Sequence, residues 1–244
     1  MSNLSKIDSM LRNQDFPFPH SGESIGYDYA AGIAAIENAV VVVSDLKNGT
    51  SRIFCGGFAK ILGVEGYQTE NSIWERTILQ LMDEKELERK YISEIRFFNF
   101  IRKQPKGKRS RYYLIARLRF RVSSGMTVDV THRMFYQYTE NGSVRYGICI
   151  YGPMIGKHAF CSQIINSLTG ETMELDHTSD NSILSRRETQ VLQLIDRGKT
   201  SSDIAGELSI SRYTVSRHRQ EILAKLQVRN STEACRMARQ LGII

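Results

Sequence analysis

The chain has no long apolar run. Its longest purely aliphatic stretch, Ala39 to Val43, falls far short of the roughly 20 residues a membrane span needs. The first 30 residues carry no signal-type apolar segment either, so a soluble, cytoplasmic protein without a membrane partner is expected. The four cysteines (Cys55, Cys149, Cys161, Cys235) are scattered with no CxxC pair and no grouping with histidine. That spacing supports neither a zinc site nor a disulfide framework, and reduced, packed thiols with no metal are expected. No nucleophile with a His and an acid in a motif, no phosphate-cradling glycine loop and no metal-ligand set is visible. The expectation is therefore no enzyme, no catalytic residues and no required cofactor.

What is present is enough for one or two globular domains with proper cores: 244 residues, 41% hydrophobic and 24% charged. The net charge of +7 is unevenly spread. From Ile183 onward there are 11 Lys/Arg against 6 Asp/Glu in about a quarter of the chain, against 22 and 20 in the remainder. The C-terminal piece is the candidate for binding a polyanion.

Residues 170 to 182 are polar, acidic and poor in large apolar side chains, which reads as a linker. Before it, Leu114, Ala116, Leu118, Phe120 and Val122 alternate with Ile115, Arg117, Arg119 and Arg121, a period of two that gives a strand one apolar and one largely basic face. Val128, Val130, Met134, Tyr136 and Tyr138 make a second row, and Val144, Tyr146, Ile148 and Ile150 a third. Asn48-Gly49, Ser124-Gly125 and Asn141-Gly142 are hairpin turns, so the sheet is expected to be antiparallel. A long helix near Glu84 to Ile101 is marked by Leu87, Tyr91, Ile95 and Phe98, and another helix is expected near Lys157 to Leu168.

After the linker the spacing turns helical. Ser185 stands three residues before Glu188, Thr200 three before Asp203 and Asn230 three before Glu233, while Ser211 opens a fourth stretch. Four starts imply four short helices, each with an apolar seam: Leu184, Val191, Leu192 and Ile195; Ile204, Ala205 and Leu208; Val215, Ile222 and Leu226; Ala234, Met237, Ala238 and Leu241. None can stand alone, so they must pack together. Only Ser209 and Ile210 precede the cap Ser211, the length of a helix-turn-helix connection. At about 100° per residue, Ile222 and Leu226 fall under Val215, and Tyr213, Ser216, Arg217, Gln220 and Ala224 occupy the opposite half. Arg and Gln suit the guanine and adenine edges of a major groove, and Ser, Thr and Arg near helix starts suit phosphates.

Leu184 to Ala234 resembles the LuxR-type DNA-binding domain shared with the NarL and FixJ response regulators. The resemblance is carried by Leu184, Arg187, Glu188, Val191, Leu192, Gly198, Ile204, Ala205, Leu208, Ser211, Thr214, Val215, His218, Ile222, Lys225, Leu226 and Val228. It implies a bundle whose third helix reads double-stranded DNA with Ser216, Arg217 and Gln220, to which the helical wheel adds Tyr213. Thr200, Ser201, Thr214, His218, Arg219, Lys225, Arg229 and Ser231 form the phosphate set. The fourth helix, through Ala234, Met237, Ala238 and Leu241, is implied to make the contact of a homodimer. Three positions depart from the family: Ser216 where Lys is usual, Gln227 where a Gly commonly follows "KL", and Ser231 where Arg is frequent.

"AVVVVSDLKNGTSRIF" and "GFAKILGVEGY" resemble the first hairpin and following helix of a PAS sensor, over about residues 31 to 153. The expected class is thus α+β: a PAS-like antiparallel sheet with helices, then an all-α four-helix helix-turn-helix domain. Its divisions are an N-terminal helical extension (1–30), a PAS-like sensory domain (31–153), helix and linker (154–182) and a LuxR-type domain (183–244). The expected function is a sequence-specific transcription regulator, active near the nucleoid, with RNA polymerase as a further partner and the sensor's small-molecule ligand left open.

Several single residues have a plainer reading. Glu188 is expected to cap the first output helix and pair inside the bundle, and His218 to pack with a hydrogen bond. His132 reads as a satisfied core histidine, and Arg102 to Arg121, with nine Lys/Arg and no acid, as a solvated or dimer-facing surface. Asp45 at a strand end invites a phosphoacceptor reading, which the hairpin turns oppose. A sigma-factor-like promoter binder, a signalling enzyme using the N-terminal half, and a ligand-binding module whose helical tail only dimerises are the rival functions.

Overall fold

The valines of β1 (Val40–Asp45) run into Asn48-Gly49, where Gly49 takes a φ of 71°, and return as β2 (Thr50–Cys55) in register Val42 to Ile53. This hairpin opens the larger of two units in a computed structural model that describes residues 3–12, 27–154, 162–175, 184–226, 228, 230–240 and 243–244. The chain divides into two compact units, one of Leu11–Glu174 and a second of Met1–Met10 with Leu175–Ile244. Residues 3–10, read from the sequence as part of a separate extension, belong instead to the helical unit.

In the first unit α2 (Tyr27–Ile36) precedes the hairpin, and α3 (Phe58–Leu62), β3 (Thr69–Glu70), α4 (Arg76–Leu79) and α5 (Glu84–Lys103) follow it. The Asp83 carboxylate accepts the Glu86 amide at 2.9 Å and so starts α5. A 3-10 turn (Lys106–Arg111) leads to a meander of β4 (Tyr112–Arg121), β5 (Thr127–Tyr138) and β6 (Val144–Pro153), completed by β7 (Ser162–Asn166) and β8 (Thr172–Glu174). The strand order is β3-β2-β1-β6-β5-β4-β7-β8, antiparallel throughout. The hairpin, the intervening helices and the meander follow the expected PAS element order.

Two expectations are corrected. Of the helix placed near Lys157 to Leu168, residues 157–161 lie outside the described residues, and Ser162–Asn166 is a strand paired with β4. Ser162 and Ile164 are buried while Gln163 and Ile165 are half-buried, a period of two that fits a strand better than a helix. Within the stretch read as linker, Thr172–Glu174 is also a strand, and residues 176–182 lie outside the described residues.

The sheet uses both faces. Leu114, Ala116, Leu118 and Phe120 of β4 are buried on one, and α5 packs beside β4. On the other, α2 lays Ala30 and Ala34 on Val41, Val43, Tyr146 and Ile150. β1 consequently has all six residues buried. The third alternating row therefore packs beneath α2, on the face opposite β4's apolar row. Arg117 and Asp129 pair across β4 and β5 at 2.8 Å, so the basic strand face is partly neutralised by its neighbour.

The second unit holds α1 (Asn3–Arg12) up to Met10, and α6 (Arg186–Asp196), α7 (Ser201–Glu207), α8 (Arg212–Leu226) and α9 (Ser231–Gln240). All four expected caps form. Ser185 with Glu188 and Thr200 with Asp203 make capping boxes, Ser211 accepts the Thr214 amide at 3.0 Å, and Asn230 accepts the Glu233 amide at 2.9 Å. Leu184, Val191, Leu192, Ile204, Val215, Ile222, Leu226, Ala234, Met237 and Ala238 form the core, with Leu194 taking the place expected of Ile195.

Glu188 is 1% exposed. Its Oε2 accepts the Ser185 amide at 2.6 Å, and Lys225 Nζ lies 2.6 and 2.7 Å from its two oxygens. Burial works against this charge, but hydrogen bonds from Lys225 and Ser185 outweigh it and hold the carboxyl below its usual 4.5. Lys6 is the opposite case: it is 2% exposed, and its Nζ has no hydrogen-bond partner. Burial lowers its pKa to about 7 from 10.5, with Glu233 opposing and Arg236 assisting.

Glu188→Gln is expected to cost about 1–3 kcal/mol in urea unfolding at neutral pH. Because the folded carboxyl titrates below its unfolded value, that contribution is present above pH 4.5 and is lost as the pH falls further. For Lys6 the sign reverses. The folded chain gives up this proton first, so stability rises between pH 7 and 10.5. Lys6→Met should raise the unfolding midpoint at pH 7 and flatten that rise; a wild-type slope in the variant would show that Lys6 does not set it.

Candidate nucleic-acid interface

α8 presents its two faces as its sequence demands. Val215, Ile222 and Leu226 are 0%, 1% and 4% exposed, whereas Tyr213 is 80% exposed and Ser216, Arg217, Gln220 and Ala224 are open to solvent. The turn before it is a Schellman-type ending of α7: the Ile210 amide donates to Ala205 at 3.0 Å and the Ser209 amide to Gly206 at 3.3 Å. Ser209 accordingly adopts φ 52°, a conformation glycine takes more readily. This turn fixes the angle at which α8 leaves α7. Arg217 donates to Glu221 at 3.0 Å, one turn along the exposed surface, so its guanidinium lies along α8 and is shared with an acid.

Arg219 has a more organised setting. Its two terminal nitrogens donate to Ser201 Oγ at 3.1 Å and Ser231 Oγ at 3.0 Å, joining the first residues of α7 and α9. Ser201, Arg219 and Ser231 from the expected phosphate set are thus gathered at one place, where two helices begin. Thr200 and Thr214 lie at helix starts too, but their hydroxyls are engaged with Asp203 at 2.6 Å and Ser211 at 2.8 Å.

Other members of that set are placed differently from the sequence expectation. The Lys225 ammonium is held by the buried Glu188 instead of standing free toward solvent. The His218 side chain is only 19% exposed and packs as its plainer reading expected, but its Nδ1, 3.6 Å from Glu221, lacks the expected hydrogen bond. Glu188, His218 and Glu221 approach one another closely enough to suggest a cation site, but Lys225 already occupies both oxygens of Glu188. Arg229 and Leu241 lie outside the described residues, as does Gln227.

The dimer surface expected on α9 needs correction. Ala234, Met237 and Ala238 are 0%, 2% and 0% exposed within the single chain, packed where α9 meets α6 and α8. Their small and flexible side chains let α9 sit close to its neighbours, which leaves them unavailable to a second copy. Arg239 on the outer side pairs with Asp196 at 2.8 Å.

The remaining sequence candidates lie in the sheet unit. Both Asp45 oxygens are taken by Arg145, and Asn48 adds its amide at 2.8 Å and its side chain at 2.9 Å. This carboxylate closes the first hairpin. His132 is fully buried and stacked on Tyr151 at 4.8 Å, but neither ring nitrogen has a hydrogen-bond partner, so it is core without being satisfied. Burial drives its pKa well below 6.5 and keeps it neutral. The sequence reading missed a buried ionic cluster of Glu75, Lys90 and Glu94; its available signal was the Lys90/Glu94 spacing inside the apolar seam of α5.

Residues 182–238 match the family described as bacterial regulatory proteins, luxR family. The uncharacterized response regulatory protein YgeK of Escherichia coli K12 is 41% identical over 73 residues, 30% of this chain and 49% of that protein. The HTH-type quorum-sensing regulator RhlR of Pseudomonas aeruginosa is 39% identical over 84 residues, 33% of this chain and 35% of that one. The chain therefore spans half or less of the length of these relatives. Among solved structures, a phage VqmA–DPO complex aligns over 89% of each chain at 15% identity with a TM-score of 0.33. The Vibrio cholerae VqmA dimer aligns over 90% of this chain and 89% of that one at 13% identity, with the same score. No described helix is long and apolar enough to cross a membrane. Residues 182–238 of this chain are a luxR-family helix-turn-helix domain of the bacterial regulatory proteins.

Proposed function

We propose that the chain is a sequence-specific DNA-binding transcription regulator whose sheet unit senses a signal and whose helical unit delivers the response. The observation that carries this reading is the outward face of α8. Tyr213, Ser216, Arg217 and Gln220 stand exposed there, and Val215, Ile222 and Leu226 anchor the helix from behind. In this reading those four side chains meet base edges in the major groove, and Arg217 exchanges Glu221 for a base. The seat made by Arg219, Ser201 and Ser231 takes a backbone phosphate, with Thr200 and Thr214 at neighbouring helix starts. Lys225 and His218 act mainly by holding α8 in place.

Regulation follows as linkage: a signal that changes the geometry or pairing of the sheet unit changes DNA affinity by a coupling free energy of typically 1–3 kcal/mol. A homodimer gripping two half-sites about one helical turn apart, RNA polymerase as a further partner, and a cytoplasmic place at the nucleoid belong to the same proposal. Since the apolar side of α9 is consumed within one chain, pairing through that helix would use its outer side. The parent family consists of regulators, in keeping with a protein that is not an enzyme.

Footprinting on genomic fragments should reveal a protected, roughly palindromic site; uniform protection of all sequences would contradict the reading. Arg217→Ala is expected to cost about 1–3 kcal/mol at that site and to relax its preference. Arg219→Ala should instead weaken all sequences alike and lower the salt slope by about one. Gel shifts at several salt concentrations separate the two.

A further inference from the structure

The register of the sheet unit brings Ser44 of β1, Gly147 of β6 and Tyr136 of β5 side by side on one face. Gly147 leaves the middle of this row without a side chain. A Cβ there would meet only a Leu46 methyl, at 3.8 Å, so the space above it is open. The space is a cavity of about 20 Å³, also bordered by Trp74, Met134 and Cys149. That is room for one water-sized group.

Glu75, Lys90 and Glu94 border the same cavity, with Lys90 and Glu94 one turn apart on α5. None of the three side chains is more than 3% exposed. Lys90 Nζ lies 2.6 Å from Glu94 Oε1 and 3.6 Å from Glu75 Oε1, and the Tyr151 hydroxyl donates to Glu75. Two carboxylates thus share one ammonium, leaving an excess of negative charge and of acceptors. Glu94 Oε2 and the Tyr136 hydroxyl are buried with no hydrogen-bond partner. Buried polar groups are rarely left in that state, and a carboxylate oxygen without a donor is among the most costly.

We propose that this cavity is the receptor site of the sheet unit, and that its ligand is a small molecule presenting an N–H head group: an ammonium, an amine or a primary amide. The head sits over Gly147, donates one hydrogen to Glu94 Oε2 and makes a second hydrogen bond with the Tyr136 hydroxyl. The residual negative charge favours a cationic or strongly polarised donor, and the single-atom space selects a compact head. Met134 and Trp74 give the cavity apolar walls, and the unbranched Met134 can adjust to the head group. Burial pushes the Glu94 carboxyl up despite the nearby Lys90, and burial with the Glu94 charge pushes Tyr136 well above its usual value. Both directions belong to a site short of positive partners. The inference rests on the reading of this unit as a sensor.

The test uses the full chain and thermal unfolding with methylammonium chloride, acetamide, tetramethylammonium chloride and sodium chloride, the salts at matched ionic strength. Methylammonium or acetamide is expected to raise the unfolding midpoint saturably, and which of them does so identifies the charge of the head group. Tetramethylammonium, which has no N–H, should act no differently from sodium. Gly147→Ala, whose methyl takes the free space, should weaken binding about tenfold or more. Glu94→Gln should weaken methylammonium more than acetamide. Circular dichroism verifies that each variant folds, and Gly147→Ala alone decides the matter if Glu94→Gln does not. Equal shifts with tetramethylammonium, an unaltered response in Gly147→Ala, or no shift with any probe would overturn the proposal and leave the space to a water. Operator binding by the chain is measured in parallel, with and without the probes. If it persists while the probes fail, this inference falls and the regulator reading stands; if it fails while the probes bind, the reverse holds.

Discussion

The presentation of α8 depends on one buried carboxylate. Glu188 finishes the capping box of α6 and grips Lys225 near the end of α8, so one side chain joins the start of one helix to the end of another. A carboxylate at that depth is tolerated only because its oxygens have donors, and the donors come from the two elements whose angle matters. Val215, Ile222 and Leu226 supply adhesion without direction, since apolar contact alone would let α8 slide or roll. The ion pair fixes the axial position, and the Ser209 turn fixes the entry angle. Together they decide which side chains of α8 face outward.

Arg219 does the same elsewhere in the bundle, tying the first residues of α7 and α9 to α8 through two serines. Two cations of α8 that seemed equivalent in the linear chain therefore have different duties. One answers an internal acid, and the other bridges two serine hydroxyl groups.

The helical unit was largely readable because its signals are local. Ser185, Thr200, Ser211 and Asn230 each cap by reaching three residues along the chain, a distance a sequence displays directly. The outward set on α8 followed from helical periodicity for the same reason. The destination of Lys225 was less visible, because its partner is 37 residues away, and the inward turn of Ala234, Met237 and Ala238 depends on what α9 meets. In the sheet unit, alternation gave the strands and Asn-Gly the turns, but not which face a helix would cover; the third row lies beneath α2 for that reason. β7 was hidden because five residues offer too short a pattern to distinguish from a helix turn. Lys90 and Glu94 were legible as a pair one helical turn apart, but Glu75 was hidden because charge pairing across elements has no period at all.

β1 lies mid-sheet between β2 and β6 and is covered above and below, with every one of its residues inaccessible. Its peptide hydrogens consequently belong to the last part of this unit to open, and exchange with solvent through global unfolding instead of local fraying. A strand so enclosed cannot flex to pass on a message. It is a fixed keel, and opening of this unit is left to the less enclosed elements around it.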